Sequence, residues 1–129
     1  MSKFVLLALM VVGACTSHPP DALIEGGLYS TPNDDGTYSV IKILKLDDRG
    51  VHVRVYSNSF SAHPDTLEEG ALYMAGLTKG PNERLGMGHL PLSRSSFARW
   101  RPRFIKRVEV KPDELDGYRE WLAGKGGYF

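Results

Sequence analysis

Residues 37–56 constrain the fold more than any other part of the chain. Thr37 to Leu46 is dense in β-branched and aromatic residues (Tyr38, Val40, Ile41, Ile43, Leu44, Leu46). Asp47-Asp48-Arg49-Gly50 follows as a turn that closes on glycine. Val51 to Tyr56 then alternates, with Val51, Val53 and Val55 on one side and His52, Arg54 and Tyr56 on the other. Two such runs around a short turn predict a β-hairpin. The first strand is apolar on both sides and the second on one, so the pattern predicts a sheet whose middle strand is covered on both faces. It also places His52 on the outer face, as a solvated side chain.

The flanking segments extend this sheet. Ala22 to Tyr29, with Gly26-Gly27, predicts a short opening strand, and Pro32-Asn33-Asp34-Asp35-Gly36 a hairpin turn. That turn lacks the chelating glutamate of a calcium loop. Ser57 to Pro64 reads as a polar loop, Asp65 to Gly70 as a helical turn anchored by Leu67, Ala71 to Thr78 as a strand, and Lys79 to Leu90 as a long glycine-rich loop. Ser93 is placed to cap a short helix near 93–100, with Leu92 packing on Phe97 and Pro102 as the stop. Phe104 to Val110 alternates as a strand. Pro112 opens a C-terminal helix near 112–123, with Asp113 and Glu114 in its first turn, Leu115, Tyr118, Trp121 and Leu122 on one face, and Gly124 at its end. The prediction is a mainly β (α+β) domain over residues 22–129, a small antiparallel curled sheet or barrel closed by the C-terminal helix. The order of elements resembles small SH3-like barrels, in pattern only.

Ahead of this domain, Met1-Ser2-Lys3 leads into an apolar run from Phe4 to Val12 and then Gly13-Ala14-Cys15. A cation, a short apolar stretch and small residues make an export signal. Its nine apolar residues fall well short of the about 20 that a helix needs to cross a bilayer. Val12-Gly13-Ala14-Cys15 resembles the lipobox of bacterial lipoproteins. The resemblance covers Met1 to Thr16 and implies cleavage before Cys15, a diacylglycerol thioether on Cys15 and usually an acylated amino group. Several acyl chains on one residue anchor stably where a single chain is marginal. Cys15 is the only cysteine, as an acylation site requires and a disulfide framework does not. Thr16, in place of the aspartate that marks inner-membrane retention, implies the outer membrane, facing the periplasm. Residues 15–21 read as the lipidated cysteine and a proline-bearing tether with a reach of about 20 Å.

Candidate chemistry is sparse. His18, His52, His63 and His89 have no local metal-ligand spacing, and no motif calls for a cofactor. Gly86-Met87-Gly88 lacks the features of a phosphate loop, and Ser93, Ser95 and Ser96 lie in no nucleophile elbow. The chain's net charge of +1 is carried by Lys3 in the signal, so the remainder is neutral and has no global field for nucleic acid. One segment breaks that balance. Between Arg94 and Lys111 there are seven bases (Arg94, Arg99, Arg101, Arg103, Lys106, Arg107, Lys111) against one acid, Glu109, with Trp100 among them. Two readings stay open. The segment is a face for an anionic envelope component (headgroups, lipopolysaccharide phosphates, wall carboxylates) or an acidic protein, or it is a solvated surface paired with Asp113, Glu114, Asp116 and Glu120. The expectation is an envelope lipoprotein that acts as a non-enzymatic binding or accessory domain. Its alternatives are an immunity-type inhibitor of an envelope toxin and a small envelope hydrolase using His52, His63 or His89. Convergence of these histidines in a concave pocket separates the hydrolase from the binder.

Overall fold

The computed structural model describes residues 23–129; the signal, Cys15 and the tether lie outside them. Strands β1 (Gly27–Pro32), β2 (Tyr38–Leu46), β3 (Gly50–Val55), β4 (Met87–Ser93) and β5 (Arg103–Arg107) form one antiparallel sheet in the order β4-β3-β2-β1-β5. The predicted hairpin is β2–β3. Its turn is held by Asp47, whose carboxylate accepts the amides of Arg49 and Gly50. Bulges at Leu28/Tyr29, Ile43/Lys45 and Val53/Val55 add local bend and twist. The edge strands β4 and β5 do not pair, so the sheet stays open and the barrel alternative fails. Helix α1 (Arg94–Arg99) joins those edges across one face.

Each face carries its own core. Under α1 lie Tyr29, Ile41, Ile43, Val51, Val53, Leu92 and Phe97, with the Tyr29 ring edge-on to Phe97 and Phe104. Ser93 caps α1 by accepting the Ser96 amide, and Leu92 and Phe97 share the core, as the capping pattern predicts. The helix ends where Arg101 turns left-handed (φ 52°) ahead of Pro102. On the opposite face Leu28, Val40 and Tyr56 pack with Leu67. Helix α2 (Asp116–Ala123), entered through the 3-10 turn Pro112–Leu115, covers the rest of that face. Gly26 makes the bend into β1 at φ +86°, and a Cβ there would lie 2.1 Å from the Val108 carbonyl oxygen.

Lys42 projects from β2 between these layers and is 0% exposed. Its ammonium donates to Glu69 Oε2 (2.6 Å), Glu114 Oε1 (2.8 Å) and the Glu109 carbonyl (2.6 Å), which uses all three N–H groups. Arg54 adds a contact to Glu114 Oε2 at 3.2 Å, and the Lys111 amide donates to Glu114 Oε1. Burial alone would raise the Glu114 carboxyl. The Lys42 and Lys111 hydrogen bonds and the charges of Lys42 and Arg54 outweigh it and hold the group below its usual range. Two cations and two carboxylates thus cancel in the interior.

Three segments depart from the sequence pattern. Ala71–Thr78 is not a strand. Its backbone is taken up locally by Asn58, which bonds both Ala71 and Tyr73, and by the Ser57 hydroxyl, which accepts the Ala75 amide. A 3-10 turn follows at Gly76–Thr78, with Leu77 97% exposed. Met87–Leu90, expected as loop, belongs to β4 instead. As an edge strand, β4 tolerates Pro91. The backbone of Phe129 bonds both Pro91 and Ser93 and so covers that edge. On α2, Tyr118 and Trp121 face the sheet, whereas Leu122 is 56% exposed.

Lys42→Met leaves the buried Glu114 with only Arg54 and the half-buried Glu69 without its cation, and the expected cost is about 3–5 kcal/mol in urea unfolding. Glu69→Gln, at the more exposed end of the network, should cost distinctly less; equal costs would place the constraint elsewhere.

Candidate functional site

Six residues of α1 rise about 9 Å, whereas the nine of β2 span about 30 Å. The helix therefore covers only part of its face. Beyond its C-terminal end, Thr31, Ser39, Ile41 and Val55 form the floor of an open hollow of about 530 Å³. Arg99 and Trp100 make one wall, and the β1–β2 turn (Asn33, Asp34, Asp35) and Arg84-Leu85 make the others. A second hollow of about 490 Å³ continues from it across Asp35, Arg84 and Leu85, and includes Phe60, Lys79, Asn82 and Glu83. The partition between them is an ion pair, Arg84 to Asp35 at 2.8 Å, braced by Arg84 on Thr37 Oγ1 at 3.0 Å. The Thr37 hydroxyl and amide both donate to Asp35, which, with little opposition from burial and with help from the Arg84 charge, hold its carboxyl below the usual range.

The floor holds one unmet polar group. Ser39 Oγ donates to Asn33 Oδ1 at 3.1 Å, but the neighbouring Thr31 is 5% exposed and its hydroxyl has no partner among the described residues.

Of the basic segment, the structure brings only Arg99 and Trp100 into this groove. Arg94 reaches back to the Asp47 carbonyl at 2.7 Å, and Arg101 occupies the left-handed bend. Arg103 stands opposite Ser30 on the other face, near His63. Lys106 donates to the Leu67 carbonyl at 3.1 Å and Arg107 to the Glu25 carbonyl at 3.2 Å. The run wraps from one face of the sheet to the other and makes no single patch. The expected pairing with helix acids also fails. Glu114 pairs with Lys42 and Arg54, Asp116 with Arg119, and Arg99 has no carboxylate partner among the described residues.

The histidines do not line either hollow. His52, expected in solvent, is 0% exposed because α2 and the C-terminal residues cover its face. Its ring meets His89, Tyr118, Trp121 and Tyr128 at centroid distances of 4.5–5.4 Å. His52 Nε2 lies 3.0 Å from Asp47 Oδ2, to which it can donate, and Nδ1 lies in hydrogen-bond range of His89 Nε2 at 2.8 Å. The Tyr128 hydroxyl also donates to Asp47. Burial alone would raise the Asp47 carboxyl, but the hydrogen bonds of Tyr128, His52 and the Arg49 and Gly50 amides hold it far below its ordinary value. Gly50 makes the approach possible, since a Cβ there would lie 2.0 Å from the Tyr128 ring. His63 is elsewhere, hydrogen-bonded to the buried Ser30 hydroxyl. Among the described residues no three His, Cys, Asp or Glu converge as a metal site would need, and no helix is long and apolar enough to cross a membrane.

No protein-family model, curated protein or solved structure matches this chain. The groove and the histidine relay are therefore read from their own geometry.

The relay makes stability pH-dependent. Burial, together with the neighbouring His52, lowers the His89 imidazole from 6.5 to about 4. Between those values the unfolded chain binds the extra proton and the folded chain does not, so stability falls as pH drops through that window. Asp47 loses its contribution only on further acidification. The melting temperature should thus decline between pH 6.5 and 4, and His89→Gln should flatten that decline. The residual slope belongs to His63, which burial and the Arg103 charge also lower, and toward pH 4 to the depressed carboxyls such as Glu114.

Proposed function

We propose that this protein is a lipid-anchored lipoprotein of the bacterial envelope, held by acylated Cys15, whose domain is a non-enzymatic binding module. The observation that carries the reading is the groove with Arg99 and Trp100 on its wall and, in its floor, Thr31, a buried residue whose hydroxyl has no partner among the described residues. An aromatic face, an arginine without a carboxylate partner and a few fixed polar groups around a concavity are the makings of a recognition site. An anionic group on an envelope component would find Arg99 available.

Strand direction supports the tethered arrangement. β1 runs from Gly27 to Pro32, and Pro32 lines the groove. The preceding residues therefore join the sheet at the end away from the groove. With Cys15 in the outer membrane, the groove faces the periplasm. The hydrolase reading loses support because His52 and His89 pack against α2, His63 lies apart from them, and none lines either hollow.

Two measurements test the proposal. A clickable fatty acid fed to cells should label the wild type and not Cys15→Ala; equal labelling removes the anchor. Immobilised domain carrying Arg99→Glu with Trp100→Ala should capture at least about tenfold less radiolabelled envelope material than wild type, while Arg101→Glu with Arg107→Glu should capture as before. The reverse order would move the binding surface out of the groove.

A further inference from the structure

We propose that the groove binds a linear oligosaccharide of pyranose rings, with one ring stacked on Trp100 and the chain continuing past the Arg84–Asp35 pair toward Phe60. This deepens the binding reading above and rests on it.

The first argument is the repetition between the hollows. Each is lined by one aromatic residue (Trp100; Phe60, which also packs against the Leu28–Val40–Tyr56–Leu67 core of the opposite face), one amide (Asn33, Asn82), small hydroxyl residues (Thr31 and Ser39; Thr37, Ser59 and Ser61) and one base in no ion pair among the described residues (Arg99, Lys79). Each volume alone lies within the about 300–1,000 Å³ that holds a small organic ligand. Two similar sites in series suit a ligand made of similar units in series.

The second argument is the choice of side chains. A pyranose ring offers an apolar C–H face to an aromatic plane and hydroxyls in adjacent pairs at its rim. Carboxylate, amide and guanidinium groups are planar forks that can take two neighbouring hydroxyls at once. Five such forks line the first hollow: Asn33, Asp35 and Arg84 are held by bonds to Ser39, Thr37 and one another, and Asp34 and Arg99 are in no ion pair among the described residues. The Thr31 hydroxyl, 5% exposed and unpartnered among the described residues, is a short-range donor and acceptor in the floor beneath them.

The third argument is charge. Arg84 and Arg99 balance Asp34 and Asp35 in the first hollow, and Lys79 and Arg84 balance Asp35 and Glu83 in the second. A site selecting polyanions, such as a lipid headgroup surface, would carry a surplus of bases. Balanced forks select polar groups by geometry, and Arg99 can donate equally to a sugar's carboxylate or acetamido oxygen.

Calorimetry on the full-length, detergent-solubilised protein tests this with two probes, neutral tetra-N-acetylchitotetraose and acidic tetragalacturonate. At least one should bind, and bind more tightly than its monosaccharide. Thr31→Val should weaken binding about 3–10-fold, the value of one neutral hydrogen bond, without lowering the melting temperature; Trp100→Ala should weaken it at least about tenfold. If neither probe binds, or only anionic phospholipid vesicles do, the saccharide assignment is wrong. In that case envelope capture that still depends on Trp100 keeps the groove as the binding site, and capture indifferent to Trp100 removes the groove as well.

Discussion

Lys42 is the constraint on which the rest of the structure depends. A lysine in the middle of the central strand, fully buried, is tolerable only when every ammonium proton has an acceptor. Those acceptors come from Glu69 in the loop after β3 and from Glu109 and Glu114 near the C-terminus. One side chain therefore dictates where two distant segments lie. Glu114 cannot leave without stranding Lys42 and Arg54, so the start of the C-terminal helical segment is pinned over β2 and β3. With that end fixed, α2 brings Tyr118 and Trp121 onto His52, and Tyr128 reaches Asp47. The charge network and the aromatic cluster are successive stages of one closure.

This closure explains what could be read from the residues and what could not. The hairpin, the Ser93 cap, the β5 strand and the position of the C-terminal helix follow from local patterns, and all were legible. The pairing of Lys42 with Glu114 joins residues 72 positions apart and leaves no periodic trace. From its own strand, His52 has every mark of an outward residue; only the arrival of a segment 60 to 80 residues later buries it. The Ala71–Thr78 error has a different cause. Its apolar residues resemble a strand, but Asn58 and Ser57 satisfy its backbone in place of a neighbouring strand, and much of its apolar surface stays in solvent.

The groove was half legible. Arg99 and Trp100 stood out because bases and an aromatic cluster around them, yet the neighbouring bases of that run serve carbonyls at the edges of the fold. The opposite wall has the sequence of a turn. Asn33, Asp34 and Asp35 do make that turn, with the Asn33 carbonyl and the Asp35 carboxylate receiving its bonds. The same residues face Trp100 because β1 and β2 end there and α1 is too short to cover the space. Three polar residues at the tip of a hairpin were a signal; the missing piece was the mismatch in length between a strand and a helix.

The two faces of the sheet thus have opposite fates, and this bears on function. The face bearing Lys42 and His52 buries both side chains completely and leaves Asp47 and His89 partly exposed at its margin. Lys42 spends its hydrogen bonds on Glu69, Glu109 and Glu114, and His52 spends its own on Asp47 and His89. The face bearing Tyr29 and Phe97 contains no such chemistry where it is packed, and where it opens it presents Trp100, Arg99, Thr31 and the β1–β2 turn. The binding proposal rests on this second face, where the hollow is open and lined by polar groups. The polarity of β1 adds the last step. The strand runs from Gly27 to Pro32 at the mouth of the groove, so in the proposed anchoring a lipid at Cys15 and a ligand at Trp100 would engage opposite ends of the same sheet.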